Sequence, residues 1–468
     1  MNLVIELNQY SSMEETIMKV IVIGDGKVGR TIVEQVCEEG HEVVVIDTKS
    51  ESIEQAIDKN DVMGIVGIGA SYDILKSAGA DKANVVIAAT SSDETNILSC
   101  LIAKKLGAKA TIARVRSYDY FNQTNIIKKD LGITMTFNPE YEASMEIMKI
   151  INFPEAIRVD SFAKGNVDLV ELYLPENSPL IGKSLIEIYQ QYQVKVLVCA
   201  VQRDEEVFIP TGGFIFKEKD KIHITAKRSD LKRFLKKLGL IEDKINSVML
   251  IGGGKLSLYL AKELLKYKYN VKIIEQDYKR CLELSELLPQ ASIIHGDGTD
   301  QTILDEEGIK DSDAVVCLTS TDEENIILSM YAHKLKVHKI ITKINRPTFV
   351  GLMEAISTAS VISPKEIVAS KIISHLRARN NARGSNVVTL HKLVNNKVEA
   401  LEFIAKENKK IVNICLKDLK LKDNILIAGI IRDGKAIIPN GNDMILENDN
   451  VIIVTTNQFL DDLNEILA

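Results

Sequence analysis

The chain has 468 residues, 46% of them hydrophobic, and its 58 basic and 65 acidic residues give a formal net charge of −7 at pH 7. That length predicts two to four domains, and the acidic balance excludes a general attraction to nucleic acid or anionic lipid. No apolar stretch approaches the roughly 18 residues of a membrane span, and the N-terminus lacks a signal peptide's basic segment and apolar core, so a soluble chain is expected, at most held at a membrane through a partner.

In chain order, residues 1–17 come first and are assigned no chemistry, because Met18 is an equally good start. Val20–Ile23 is a β-branched run that reads as a buried strand, and it breaks directly into Gly24-Asp25-Gly26-Lys27-Val28-Gly29-Arg30. In a Gly-x-Gly-x-x-Gly turn the first glycine permits the bend and the second lets the backbone approach a pyrophosphate. The third lets the next helix, predicted from Thr31 to about Glu39, lie close on the strand. The amides that open this helix form an anion site. A second strand, Glu42–Ile46, leads to Asp47, placed to accept hydrogen bonds from ribose hydroxyls. A carboxylate there would repel a 2′-phosphate, although Lys49 keeps the phosphorylated cofactor open. Arg30 reads either as a guanidinium that pairs with phosphate or as a solvated first-turn arginine.

The strand Val85–Ile87 then runs into Ala88-Ala89-Thr90-Ser91-Ser92-Asp93-Glu94-Thr95-Asn96, and the following strand ends in Arg114. Thr90 and Arg114 are therefore expected at the carboxyl ends of strands, the edge where doubly wound sheets take ligands. Asn138-Pro139-Glu140 opens a further helix with a cap and a proline at its first position. Beyond it the pattern changes to short strands around turns. One hairpin is Val196–Val201, a turn at Arg203–Glu206, and Val207–Gly212, and a last strand follows the acidic turn at Asp220.

The whole cassette then recurs with a period of about 228 to 229 residues. Gly252-Gly253-Gly254-Lys255-Leu256-Ser257 repeats the turn, Glu275 the terminal acid, Thr319 to Asn325 the loop, Lys343 the cation and Ser363-Pro364-Lys365 the helix start. Ser257 replaces the third glycine, and its side chain is expected to push helix and strand apart. The second half also has His295-Gly296-Asp297-Gly298 where the first has Val66-Gly67-Ile68-Gly69. Asp297 is able to accept from an adenine amine, and a turn or capping role fits it equally. The second hairpin is Ile425–Ile431, a turn at Arg432–Lys435, and Ala436–Gly441.

The predicted fold class is α/β: two doubly wound Rossmann-like domains, each followed by a small α+β domain. Their expected bounds are 18–138, a linker helix at 139–159, 160–240, 246–362, a linker helix at 363–384, and 385–468. The six cysteines are widely scattered and read as buried small hydrophobes in a reducing cytoplasm. The seven histidines include no pair at metal-ligand spacing within a helix turn, and no nucleophile set is visible. The basic run Lys217 to Lys237 reads as a solvated helix face, and Arg377, Arg379 and Arg383 are read with the same caution.

Two glycine turns with their acids Asp47 and Glu275, the Thr90–Asn96 loop and its copy, and a hairpin module after each half resemble the tandem regulator-of-potassium-conductance (RCK) proteins of Trk-type potassium uptake. The resemblance covers nearly the whole chain from Met18. It implies two RCK N-type and two RCK C-type domains that form a homo-oligomeric ring beneath a membrane potassium-channel subunit of the TrkH/TrkG type. It also implies gating by NAD(H) or by ATP/ADP, no enzymatic activity, and a place on the inner face of the cell membrane. The rival expectation is a nicotinamide-dependent dehydrogenase of the saccharopine-dehydrogenase type. The repetition of the cassette and the lack of a large domain between the halves stand against it.

Overall fold

The computed structural model describes residues 17–117, 120, 130–162, 167–204, 206–239, 245–355, 359–380, 387–394, 397–406, 410–457, 460 and 462–468. Residues 1–16, Glu205 of the first hairpin turn and Arg383 lie outside the described residues.

The runs of β-branched residues form parallel strands buried on both faces, which is why they read as continuous apolar stretches. The first sheet contains β1 (Lys19–Ile23), β2 (Glu42–Asp47), β3 (Met63–Val66), β4 (Val85–Ala88), β5 (Ala110–Arg114) and β6 (Met135–Phe137). Its order is β3-β2-β1-β4-β5-β6 and every pairing is parallel, so the order reverses between β1 and β4. At such a switch point the two flanking connections leave on opposite faces and open a crevice at the carboxyl ends. Helices α1 (Lys27–Glu38), α2 (Ser50–Lys59), α3 (Tyr72–Ser77) and α4 (Asp93–Leu106) connect the strands, and α5 (Pro139–Asn152) follows β6. Asn138 Oδ1 caps α5 by accepting from the amides of Glu140 and Tyr141, each at 3.1 Å.

The first small sheet contains β7 (Arg158–Phe162), β8 (Val167–Tyr173), β9 (Val196–Arg203), β10 (Glu206–Phe208) and β11 (Lys221–Ala226), in the antiparallel order β10-β9-β11-β8-β7. Helices α6 (Leu185–Tyr192) and α7 (Arg228–Lys237) pack on one face through Ile188, Tyr192, Leu231 and Phe234. The basic residues Lys232, Arg233 and Lys236 of α7 face outward, as its sequence pattern predicts.

The repeat then builds the same two sheets again. The parallel one contains β12 (Ser247–Ile251), β13 (Asn270–Glu275), β14 (Ser292–His295), β15 (Ala314–Cys317), β16 (Lys339–Lys343) and β17 (Ala359–Ile362), in the order β14-β13-β12-β15-β16-β17. Its helices are α8 (Lys255–Lys266), α9 (Tyr278–Leu287), α10 (Gln301–Glu306), α11 (Asp322–Lys334) and the trailing α12 (Pro364–Asn380). The antiparallel one contains β18 (Val387–Leu393), β19 (Val398–Ile404), β20 (Ile425–Arg432), β21 (Lys435–Ile437) and β22 (Asn450–Thr455), in the order β18-β19-β22-β20-β21. Where the first small domain has α6, held by a reciprocal Ser184–Glu187 capping box, the second has only the short turn Leu416–Asp418.

One ion pair recurs in both small domains. Arg203 holds both oxygens of the buried Asp220 at 2.8 Å, and Arg432 holds those of Asp449 at 2.9 and 2.8 Å. Each carboxylate also accepts a backbone amide, from Lys217 and Leu446, so the pair closes the hairpin onto the last strand.

The chain divides into two compact units. One is built on the first parallel sheet and takes in Pro364–Leu376 of α12; the other holds the remaining three sheets. Inside the first, Gln35 of α1 donates to Glu366 at 2.9 Å and Lys371 pairs with Glu142. Inside the second, the free faces of the two small sheets share one core, in which Phe162, Leu169 and Cys199 meet Val398, Ala428 and Ile452. Phe162 and His391, which occupy equivalent positions of the repeat, meet edge to face with ring centroids 4.7 Å apart. Such self-facing positions mark an approximate two-fold axis.

Two expectations change. Arg377 is not on a solvated face: its side chain is 4% exposed and pairs with the buried Glu399 of β19 at 3.0 Å from the last turn of α12. Of the cysteines, Cys100, Cys199, Cys281 and Cys317 are buried, while Cys37 and Cys415 are only half-buried. All six are free thiols, and burial pushes Cys100, Cys199 and Cys317 up to about 12.

Candidate nucleotide site and its copy

The turn after β1 closes on the sheet through the Gly24 amide, which donates to Ile46 of β2 at 2.7 Å. Gly24 has φ +94° and lies so close to Thr90 that a Cβ would stand 3.0 Å from its backbone, so no other residue fits. Helix α1 begins at Lys27, earlier than predicted, with Gly26 as its extended N-cap. Gly29 is therefore a helical residue, and a Cβ there would stand 1.8 Å from the Gly24 carbonyl oxygen. No side chain caps α1 and no acidic residue lies in its first turn. Its leading amides thus face outward as an anion site. A Cβ on Gly26 would meet nothing within 4 Å, which is the open space that a pyrophosphate needs. Lys27 is exposed beside it and Val28 is buried beneath the helix.

Asp47 is turned back toward this loop. Its carboxylate accepts from the Asp25 amide at 2.7 Å and from the Lys49 amide at 3.0 Å, leaving lone pairs for ribose hydroxyls. Arg30 has a partner within the turn that the sequence did not announce. It is half-exposed and pairs with the buried Asp25, with Nη2 2.9 Å from Oδ2. Burial raises the Asp25 carboxyl above the usual range, Arg30 pulls it back, and Asp47 adds to the rise.

Thr90 stands at the end of β4 beside Gly24, and Arg114 at the end of β5 lies 3.8 Å from Glu140. Burial lowers the Arg114 guanidinium, and Glu140 opposes that shift. Two residues that sequence reasoning left without a role hold this edge. Asn96, fully buried, accepts from the Thr90 amide at 2.8 Å and donates to the Arg114 carbonyl at 3.0 Å. Asp93 accepts from the amides of Arg116 and Ser117 at 2.8 and 2.6 Å. The signal was present, because Asp and Asn recur three residues apart in both halves. Asn325 ties Thr319 to Lys343 at 2.8 and 3.0 Å, and Asp322 accepts from Asn345 and Arg346 at 2.9 Å.

The second turn keeps the plan with altered chemistry. Gly252 has φ +100° and donates to Ile274 at 2.8 Å, and Glu275 accepts from the Gly253 amide at 2.6 Å. A Cβ on Gly254 also meets nothing within 4 Å, Lys255 is exposed and Leu256 is buried. Ser257 is fully buried and its hydroxyl donates to the Gly252 carbonyl. The helix therefore stands off from the turn far enough to admit the side chain that the first copy excludes. Lys343 Nζ lies 3.3 Å from the Leu318 carbonyl, at the same edge as Thr319. Asp297 is exposed and accepts from the amide and hydroxyl of Thr299 at 2.9 and 2.8 Å, which is a turn role.

In each copy the glycines, the acid, the threonine and the cation thus belong to one strand-end edge. Among the described residues no group of three or more His, Cys, Asp or Glu is placed to hold a metal ion, and no helix is long and apolar enough to cross a membrane.

Residues 20–139 and 248–364 match the family model described as the TrkA-N domain, and residues 169–239 and 400–468 match the TrkA-C domain. The chain is 30% identical over 443 residues to the Trk system potassium uptake protein TrkA of Halomonas elongata, covering 93% of this chain and 95% of that protein. It is 32% identical over 444 residues to the Trk system potassium uptake protein TrkA homolog 1 of Methanosarcina mazei, covering 93% and 97%. Among solved structures it is similar to the GsuK RCK domain, with TM-score 0.61 and 17% identity over 95% of this chain and 93% of that one. The GsuK channel bound to NAD gives the same TM-score at 16% identity, covering 95% and 77%. At these identities the structural likeness concerns the fold alone.

Proposed function

Since the chain belongs to the TrkA family of Trk-system potassium uptake proteins, we propose that it is a regulatory subunit that senses nucleotides and gates a membrane potassium channel. The observation that carries this reading is the pair of glycine turns. Each has open space at its second glycine, uncapped helix amides and a terminal acid aimed at the loop. The residues that would hold NAD(H), or ATP/ADP, are Gly24, Gly26, Lys27, Asp47 and Thr90 in the first half, and Gly252, Gly254, Lys255, Glu275 and Thr319 in the second. The turn amides would take the phosphates and the acids the ribose. The GsuK channel, of the same fold, is described as bound to NAD, which agrees with that ligand class.

The chain's own part is conformational. A nucleotide shifts an equilibrium between two forms only by as much as it prefers one of them, and a preference of about 10- to 100-fold is roughly 1.4 to 2.8 kcal/mol. That range is enough to bias a channel subunit of the TrkH/TrkG type, with the protein held at the inner face of the membrane as a homo-oligomeric ring.

Titration of NAD, NADH, ATP and ADP against the wild type, Asp47→Ala and Glu275→Ala tests the sites. Loss of one binding event in each variant is expected, and unchanged binding in both refutes the site assignment. Growth on low potassium tests the role: the intact gene restores it in a deletion strain, full rescue by Gly26→Asp refutes control through the first site, and full rescue by Gly26→Asp combined with Gly254→Asp refutes nucleotide control. Steady oxidation of NADH with a panel of keto acids would instead establish a dehydrogenase.

A further inference from the structure

The two turns of this one chain differ in charge at a single buried position. In the first, Asp25 stands between the glycines with its side chain fully buried; Oδ2 takes Arg30, and Oδ1 has no hydrogen-bond partner among the described residues. In the second, the position is Gly253. A Cβ there would stand 2.6 Å from Leu284 Cδ1 and 2.9 Å from Glu275 Oε2, so a side chain would displace both and none is present. The nearby arginine is also different: Arg280 comes from α9 and donates to the Gly253 carbonyl at 2.8 Å. The first turn therefore carries two carboxylates, Asp25 and Asp47, where the second carries one, Glu275.

We propose that Asp25, with Arg30, is a charge filter that makes the first site selective for a dinucleotide over a nucleoside triphosphate, while the second site accepts both. The proposal rests on the reading of the glycine turns as nucleotide sites. A dinucleotide's two phosphates are esterified at both ends and carry one negative charge each, whereas ATP ends in a phosphate with further charge. Beside a buried carboxylate each extra charge is unfavourable, at an effective dielectric nearer about 20 than that of water, and Arg30 offsets part of the penalty. Asp25 acts a second time through Arg30, whose guanidinium it engages at 2.9 Å and so withholds from the ligand. Both effects weigh most on the ligand with the highest charge. In the second turn no carboxylate stands between the glycines: Arg280 is held from outside the turn by Glu283 at 2.8 Å, and Lys255 stands exposed at an uncapped helix start as Lys27 does in the first.

The test uses the full-length chain and isothermal titration of NAD and ATP, in chelator so that the phosphates keep their full charge. One site is silenced at a time by Gly26→Asp or Gly254→Asp, positions where a side chain meets no neighbour. With only the first site active, NAD is expected to bind at least about tenfold more tightly than ATP, a difference of about 1.4 kcal/mol. With only the second active, that preference falls by a comparable factor. Asp25→Asn, which keeps shape and removes charge, is expected to move the first site's ATP-to-NAD ratio toward that of the second. Equal ratios at the two native sites, or a first-site ratio unchanged in a folded Asp25→Asn chain that still binds NAD, overturn the filter and leave the nucleotide reading standing. Absence of any NAD or ATP binding by the wild type overturns that reading itself, and the filter with it.

Discussion

The contrast between Gly29 and Ser257 offers a stringent test of how the first turn is packed. In Gly29→Ala the new Cβ would stand 1.8 Å from the Gly24 carbonyl oxygen and 2.9 Å from its carbon. Non-bonded heavy atoms settle near about 3.5 Å, so turn and helix must separate by about 1.7 Å. The turn has no room to retreat, because Gly24 backs onto Thr90, and α1 must move instead. Overpacking of this kind costs up to about 3 kcal/mol, and the better helix propensity of alanine returns about 1 kcal/mol, for a net loss of about 2 kcal/mol. Ser257→Ala in the second copy keeps its Cβ and loses only the hydroxyl that donates to Gly252, a loss of about 1 kcal/mol. Because a chain of several domains does not unfold in one step, the assay is amide exchange of peptides covering β1 and β12, run alongside nucleotide titration. Exchange in β1 of Gly29→Ala should quicken by about 30-fold, the equivalent of 2 kcal/mol, with weakened binding at the first site. Wild-type protection of β1 and wild-type affinity at that site would refute the packing argument.

Other consequences are open to measurement. Removing Arg203 leaves Asp220 buried without its cation, and Arg203→Ala should cost about 2 to 3 kcal/mol; Arg432→Ala should match it within about 1 kcal/mol in chemical denaturation. Burial depresses Lys339 from 10.5 to about 7 while its ammonium donates to the Ala156 carbonyl at 2.6 Å. Between those values the unfolded chain binds a proton that the native chain does not, so stability should rise with pH from about 7 to about 8.5, below the range where the unfolded chain's thiols ionise, and that rise should be missing in Lys339→Met. Burial also lowers His223 below 6.5, and it is native in its neutral form. As the pH falls below 6.5 the unfolded state gains a proton first, so the small-sheet pair should lose stability, and His223→Ile, which copies Ile452 of the other half, should remove that loss.

Much of the architecture was readable from residues. The parallel strands announced themselves because burial on both faces leaves unbroken apolar runs such as Val20–Ile23 and Val85–Ala88, and the repeat then supplied the domain order. The glycine turn was readable because its geometry forbids side chains. The ion pairs were not. Asp25 and Arg30, or Arg377 and Glu399, look like ordinary surface charges until helix phase and tertiary neighbours are known. The shared core of the small sheets was hidden for a related reason. The face of the first sheet that turns toward its partner bears His223, Thr225 and Asp160, so the alternation that marks an inward face was blurred. Asn96 and Asp93 were visible as a recurring spacing, yet their work is to hold backbone from the next strand, which no local pattern expresses.

The edge contact between Phe162 and His391 has an evolutionary side. In a dimer of identical chains, any residue on the two-fold axis meets its own twin, so one substitution changes both partners and its energetic effect is doubled. Joining the two halves into one polypeptide removes that constraint: here an aromatic ring faces an imidazole, a pairing that symmetry forbids to identical subunits. Each half becomes free to drift under its own selection, and a single titratable group can be placed at the centre of an interface without a second one opposite it.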